Sequence, residues 1–209
     1  MVDIDNRQEG SAKIEGERKA PRLRADAKRN LDGLLQAAAT VFASQGVDAP
    51  VRDIATAAGV GVGTLYRHFP QRSDLIKAVL RREIDACADQ APLLAELHTP
   101  AEALAAWMQR FVDFLLAKRG LAAALHSGDP AYEALPAYFD QRLRPALDGL
   151  ITRAVEAGEV RADIDPDMLI HAVARLANTG GRDETASVRL MVSLLVDGLR
   201  YTPGGTSRQ

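Results

Sequence analysis

Apolar residues recur along this chain at spacings of three and four with almost no strict alternation, a pattern that predicts helices throughout. Leu31, Leu34, Leu35, Ala38 and Phe42 share one face of a first helix. Gly46 ends it, a residue suited to the left-handed position after a helix C-terminus. Ile54, Ala55 and Ala58 mark a short helix over 52–58, with Gly59 at the tight turn after it. Leu65 and Phe69, four apart, are the buried stripe of a second short helix beginning near Val62. Pro70 stops that helix, because the residue before a proline disfavours the α region, and Ser73 with Asp74 caps the next. The long helix from Ser73 carries Leu75, Ile76, Val79, Leu80, Ile84 and Cys87 on one face and ends at Pro92 or at His98-Thr99-Pro100.

Further on, Ala101 to Lys118 forms a helix with Leu104, Trp107, Met108, Phe111 and Leu115 inward, broken by Gly120. Gly128-Asp129-Pro130 is a turn into a helix, with Asp129 as cap and Pro130 at the first helical position. Pro136 and Pro145 predict a break or kink in the helical stretch up to Ala157. Asp165-Pro166 repeats the cap-and-proline start for a helix to about Asn178, and a last helix runs from about Glu184 to Tyr201. These two are apolar over more than one stripe. The first has Leu169, Ala172, Val173 and Leu176 on one side and Ile170, Ala174 and Ala177 on another. The last has Val188, Met191, Val192, Leu195 and Leu199, with Leu190 and Leu194 beside them. A second apolar stripe points to a four-helix bundle with the same pair from another copy; the competing arrangement is a hairpin buried within one chain.

Composition narrows this to an all-α protein: 209 residues, 47% hydrophobic, rich in alanine and only 5% aromatic, enough for a proper core. The single Cys87 excludes a disulfide framework and is expected as a small core residue. No apolar run approaches the roughly 18 residues of a membrane span, and no signal peptide is visible, so a cytoplasmic, soluble protein is expected. The net charge of -2 is unevenly spread and that changes the picture. From Arg18 to Arg82 there are 12 basic and 5 acidic residues, a net of +7, whereas residues 1–17 carry -3 and residues 83–209 carry -6. One end of the chain alone suits a polyanion. Residues 1–24 are expected as a disordered arm, in which Arg18, Lys19, Arg22 and Arg24 either follow phosphates or a minor groove or are simply solvated; 202–209 is expected as a disordered tail.

Two short helices separated by a glycine turn, with Thr64, Tyr66, Arg67 and His68 left outside on the second, read as a helix-turn-helix. The run AAGVGVGTLYRHFPQRSDLI, preceded by VRDIA and by LLQAAATVFASQG, closely resembles the DNA-binding region of the TetR family of bacterial regulators over about residues 26–82. Beyond about residue 83 only helical pattern and length match. The family usually has Ser or Thr where Pro50 and Gly61 stand, both helix N-caps. Proline fits the extended cap geometry and glycine caps tolerably, while a hydroxyl contact to phosphate is lost at Gly61. The resemblance implies a three-helix DNA-binding domain over 25–72 and a larger helical ligand-sensing and dimerisation domain over 73–201. It also implies a homodimer through the last two helices and a repressor released from a palindromic double-stranded operator by a small apolar or aromatic ligand. A small all-helical enzyme and a dimeric adaptor with a vestigial helix-turn-helix are the competing classes.

Candidate contacts follow from position. Val62, Gly63 and Thr64 open the second motif helix, where Gly63 permits close backbone approach and Val62 and Thr64 suit thymine methyl groups. The resemblance places Tyr66 and His68 on phosphates, with capping or packing the alternative for His68, and Arg52 and Arg72 at positions that contact DNA in similar regulators. A bulky cluster of Trp107, Met108 and Phe111, with Phe114, His126, Tyr132 and Tyr138 supplying nearby aromatic or polar groups, is the candidate ligand pocket; the alternative is that they fill the core. No catalytic site, cofactor or metal is expected. His126, Ser127 and Asp129 are chain neighbours that cannot turn onto one another as a triad, and the four histidines show no helical ligand spacing.

Overall fold

Helical periodicity becomes ten α-helices, and no strand, among the described residues of the computed structural model, which are 29–125, 127–179 and 184–200. The basic cluster Arg18, Lys19, Arg22 and Arg24, the arm 1–24, the tail 202–209 and His126 lie outside those residues. The first helix, α1, covers 29–45 and ends where expected at Gly46, whose φ of +83° only glycine adopts freely. It is followed by α2 (Val51–Ala57), α3 (Val62–His68) and α4 (Arg72–Ala88). Leu34, Leu35, Ala38 and Phe42 of α1 join Ile54, Ala55, Leu65, Phe69 and the first half of α4 in one apolar core. The cap of α4 is Gln71, not Ser73: the Asp74 carboxylate sits three residues into the unit and accepts from the Gln71 backbone N–H at 3.2 Å.

The next helix, α5 (Gln90–Leu97), is separated from the end of α4 at Ala88 by the single residue Asp89. Pro92 explains the break from a distance, since a proline ring four residues on clashes with the Ala88 carbonyl and supplies no N–H to it. Within α5 the same proline lies in the first turn, where its missing N–H costs nothing. His98-Thr99-Pro100 ends α5 and starts α6 (Pro100–Ala117), whose cap is Thr99 with Glu102 accepting from its N–H at 3.1 Å. Helix α6 is the axis of a second core: Ala103, Leu104, Trp107, Met108, Phe111 and Val112 are fully buried against α4, α5, α8, α9 and α10.

A 3₁₀ turn (Lys118–Leu121), α7 (Ala122–Leu125) and a second 3₁₀ turn (Pro130–Tyr132) follow, the last capped by Asp129, whose Oδ1 accepts from Ala131 N–H at 2.8 Å. Then come α8 (Leu135–Glu156), α9 (Pro166–Thr179) and α10 (Thr185–Gly198). The expected break in α8 does not occur. Pro136 lies in its first turn, and the helix continues for 22 residues through Pro145, which is exposed, as is Gln141, so water reaches the carbonyl that loses its partner. On α9 the second apolar stripe turns inward: Ile170 and Ala177 are buried within the chain. The large apolar groups left outside on the last two helices are Met168, Leu190, Met191 and Leu194.

The two cores divide inside α4, between Leu80 and Ile84. Leu121 and Tyr132, from the middle segment 118–134 between α6 and α8, and Leu135 at the start of α8 belong to the N-terminal core, so that segment packs on the helix-turn-helix unit directly. Gly120 makes the closest approach: a Cβ there would lie 2.1 Å from the Phe42 carbonyl oxygen at the end of α1.

Candidate functional site

The turn between α2 and α3 is built by hydrogen bonds that need glycine. At Gly59, with φ +66°, the chain leaves α2; Gly59 N–H donates to the Thr56 carbonyl at 3.1 Å and Val60 N–H reaches back to Ala55 at 3.0 Å. That closure sets α3 across α2, with Leu65 and Phe69 buried against the core and the opposite face open. Val62, Gly63, Tyr66, Arg67 and His68 are exposed, Tyr66 to 49%, and Thr64 is half-buried. Apart from its chain neighbours and its own helix's backbone, no described atom stands within 4 Å of the place a Gly63 Cβ would occupy, so the backbone there is open. Gly61, the N-cap, contributes no side-chain bond. Pro50 takes the extended cap geometry expected of it ahead of α2, at φ -58° and ψ 134°. Arg52 projects as an exposed residue from the first turn of α2.

Arg72 is placed differently. It is half-buried, and its guanidinium donates to the Val47 carbonyl in the loop after α1, tying that loop to the start of α4. One of its five donors is thereby used inside the protein.

Behind this unit lies an open cleft of about 400 Å³, walled by α4, the end of α6, the middle segment, the start of α8 and one face of α9. Leu80, Ile84, Phe114, Tyr132, Phe139 and Ile170 line it with Lys118, Arg119 and His171. The cluster of Trp107, Met108 and Phe111 is not among the lining residues. All three are fully buried, the Trp107 indole N–H donates to the Cys87 carbonyl at 3.0 Å, and Phe111 stacks between Trp107 and Phe114 at 5.7 and 6.1 Å. Tyr138 also lies outside the cleft lining. Its hydroxyl donates to Asp85 at 2.7 Å beneath Arg81, and the Asp85 hydrogen bond, with burial added, pushes its phenol up. Arg142 joins the same carboxylate at 2.6 Å and Asp89 at 2.7 Å, clasping α8 to α4.

Phe114 and Tyr132, expected near a pocket, do line the cleft, whereas Lys118, Arg119, Phe139, Ile170 and His171 were not foreseen there. One signal was present: a Lys118-Arg119 pair at the end of an otherwise apolar helix face. Of the stripe of Ile170, Ala174 and Ala177, the first two face this cleft and Ala177 is buried within the chain. Among the described residues no group of three His, Cys, Asp or Glu could hold a metal ion, and no helix is long and apolar enough to cross a membrane.

Residues 34–79 match the family described as bacterial regulatory proteins, tetR family, and residues 99–201 match the transcriptional regulator SbtR-like C-terminal domain. The chain is similar to a TetR transcriptional regulator from Streptomyces coelicolor, at 41% identity and a TM-score of 0.74, over 82% of this chain and 99% of that one. It is also similar to a TetR transcription regulatory protein from Mycobacterium vanbaalenii, at 35% identity and a TM-score of 0.69, over 86% and 99% of the two chains. An HTH-type transcriptional regulator of Staphylococcus aureus is 28% identical over 123 residues, which are 58% of this chain. That match spans 66% of the curated relative, just under two thirds of its length.

Proposed function

The chain belongs to the TetR family of bacterial transcriptional regulators, and on that premise we propose that it is a homodimeric, sequence-specific DNA-binding repressor released from a palindromic operator by a small molecule. The observation that carries the reading is the bare outer face of α3, with Val62, Gly63, Tyr66 and His68 exposed on a helix that the Gly59 turn sets across α2. Val62, Gly63 and Thr64 meet base edges; Tyr66, His68, Arg52 and the free donors of Arg72 hold phosphates. Residues 25–72 are the reader and 73–201 the sensor and dimer module. The dimer forms on α9 and α10, where Met168, Leu190, Met191 and Leu194 are the exposed apolar groups.

The effector enters the cleft that contains Leu80 and Ile84, and the Trp107, Met108 and Phe111 cluster is the packed wall behind it. A guest between α4 and α9 biases the tilt of α4, and with it the separation of two recognition helices that must sit about 34–36 Å apart. Couplings of this kind are typically about 1–3 kcal/mol. An electrophoretic shift of genomic fragments tests the reading: the purified protein should retard a few fragments, and footprinting of those should show a two-fold symmetric site. Retardation of no fragment at low salt, or of all fragments alike, overturns it.

A further inference from the structure

The largely apolar walls of the cleft carry two cationic side chains. Among the described residues that line it none is Asp or Glu, while Lys118 and Arg119 are both cationic. The Arg119 guanidinium donates to the Ala177 carbonyl of α9, so it is fixed at the rim of the last helices. Lys118 is half-buried with its ammonium 5.9 Å from the centre of the Phe114 ring, and among the described residues that ammonium has no ion pair or hydrogen bond. Burial pushes that ammonium below its ordinary range. A neutral apolar guest would displace water from this group and leave a charge without a partner, and a cationic guest would be repelled. An anion answers both problems, since a charge-assisted hydrogen bond in a partly desolvated site is among the stronger polar contacts.

We infer that the cleft binds a small amphipathic anion, a carboxylate on an aliphatic or aromatic body, with its head group on Lys118 beside Arg119 and its body against Ile84, Phe114, Phe139 and Ile170. The inference rests on the proposed reading of the cleft as the effector site and supplies its ligand class. The same guest spans from α9 to Leu80 and Ile84 of α4, so the anion head and the reader-bearing helix meet through one molecule.

Two matched series test it by calorimetric titration into the full-length protein, below micelle-forming concentrations. Octanoate, octanol and octylammonium share one body, and naphthoate and naphthalenemethanol share a flatter one. In at least one series the carboxylate should bind about tenfold or more tightly than its alcohol. Octylammonium should not bind, Lys118→Met should bring the carboxylate to the level of the alcohol, and Lys118→Arg should keep most of its affinity. Lys118→Met removes an unpaired charge and should melt no lower than the wild type; if it does not fold, the wild-type ranking and Lys118→Arg decide. Alcohols that match both carboxylates, or carboxylate affinity untouched by Lys118→Met, overturn the assignment. No readout involves DNA. Failure here with operator shifts intact removes the ligand class alone, and success with no fragment shifted removes the regulator alone.

Discussion

Tyr66 is half exposed on a helix whose single buried residue is Leu65, so its hydroxyl is free to meet a phosphate and its loss should be felt in binding rather than in folding. Tyr66→Phe and Thr64→Ala should each weaken operator affinity by about 1–3 kcal/mol in a titrated shift assay with little change in melting temperature. Unchanged affinity in both would remove them from the interface. The two arginines should separate from each other. Arg52→Ala should weaken all sequences alike and reduce the salt-dependence slope by about one, leaving stability alone. Arg72→Ala should show the same slope change and also lower the melting temperature, because the Val47 carbonyl loses its donor at a cost of about 1 kcal/mol after allowance for partial exposure. At Cys87, burial pushes the thiol up to about 12, so almost no thiolate exists near neutral pH. Iodoacetamide should label it only after denaturant is added, and rapid labelling of the native protein would contradict that burial.

At the scale of elements, stability is concentrated in a few joints between helices. Gly59 holds the α2–α3 turn at positive φ, and Gly59→Ala should cost about 1–2 kcal/mol even though open space surrounds it. Gly120→Ala differs in kind, because its methyl group would meet backbone at the end of α1, so the segment after α6 must move away from the reader. Overpacking of this sort costs about 1–3 kcal/mol, or a few degrees per kcal/mol for a chain of this length, and calorimetric melting would measure it. The same variant should shift operator affinity if the middle segment transmits position from the cleft to α1. The clasp of Arg142 on Asp85 and Asp89 is more than a third exposed, so its contribution is orientation of α8 on α4 more than stability.

For the whole molecule the proposed geometry has a two-fold axis. Leu190 and Leu194 are over 60% exposed on α10, four residues apart, and Met191 lies beside them. Leu190→Glu with Leu194→Glu should give a monomer in analytical ultracentrifugation and abolish high-affinity operator binding while the fold persists, because each monomer then reads one half-site alone. A double variant that remains dimeric would place the interface elsewhere.

Periodicity along the chain was sufficient for most of the helices, their order and the helix-turn-helix, because each rests on short-range rules: glycine at a positive φ, proline beside a cap, apolar groups three and four apart. Even the α2–α3 face was legible, since burial of Leu65 and Phe69 forces Tyr66, Arg67 and His68 outward. Where two stop signals competed, local rules ran out: Pro92 and His98-Thr99-Pro100 both act, one ending α4 and the other α5. Tertiary packing alone decided the place of the cleft and the fate of the second stripe on α9. Trp107 and Phe111 are as apolar and bulky as pocket walls, but their neighbours on five other helices close around them, and no spacing in the chain reports that closure. Lys118 became a candidate anchor only when α6, α8 and α9 met around it with no carboxylate among the described lining residues, because the partner a charge lacks is a property of three-dimensional proximity, not of sequence order.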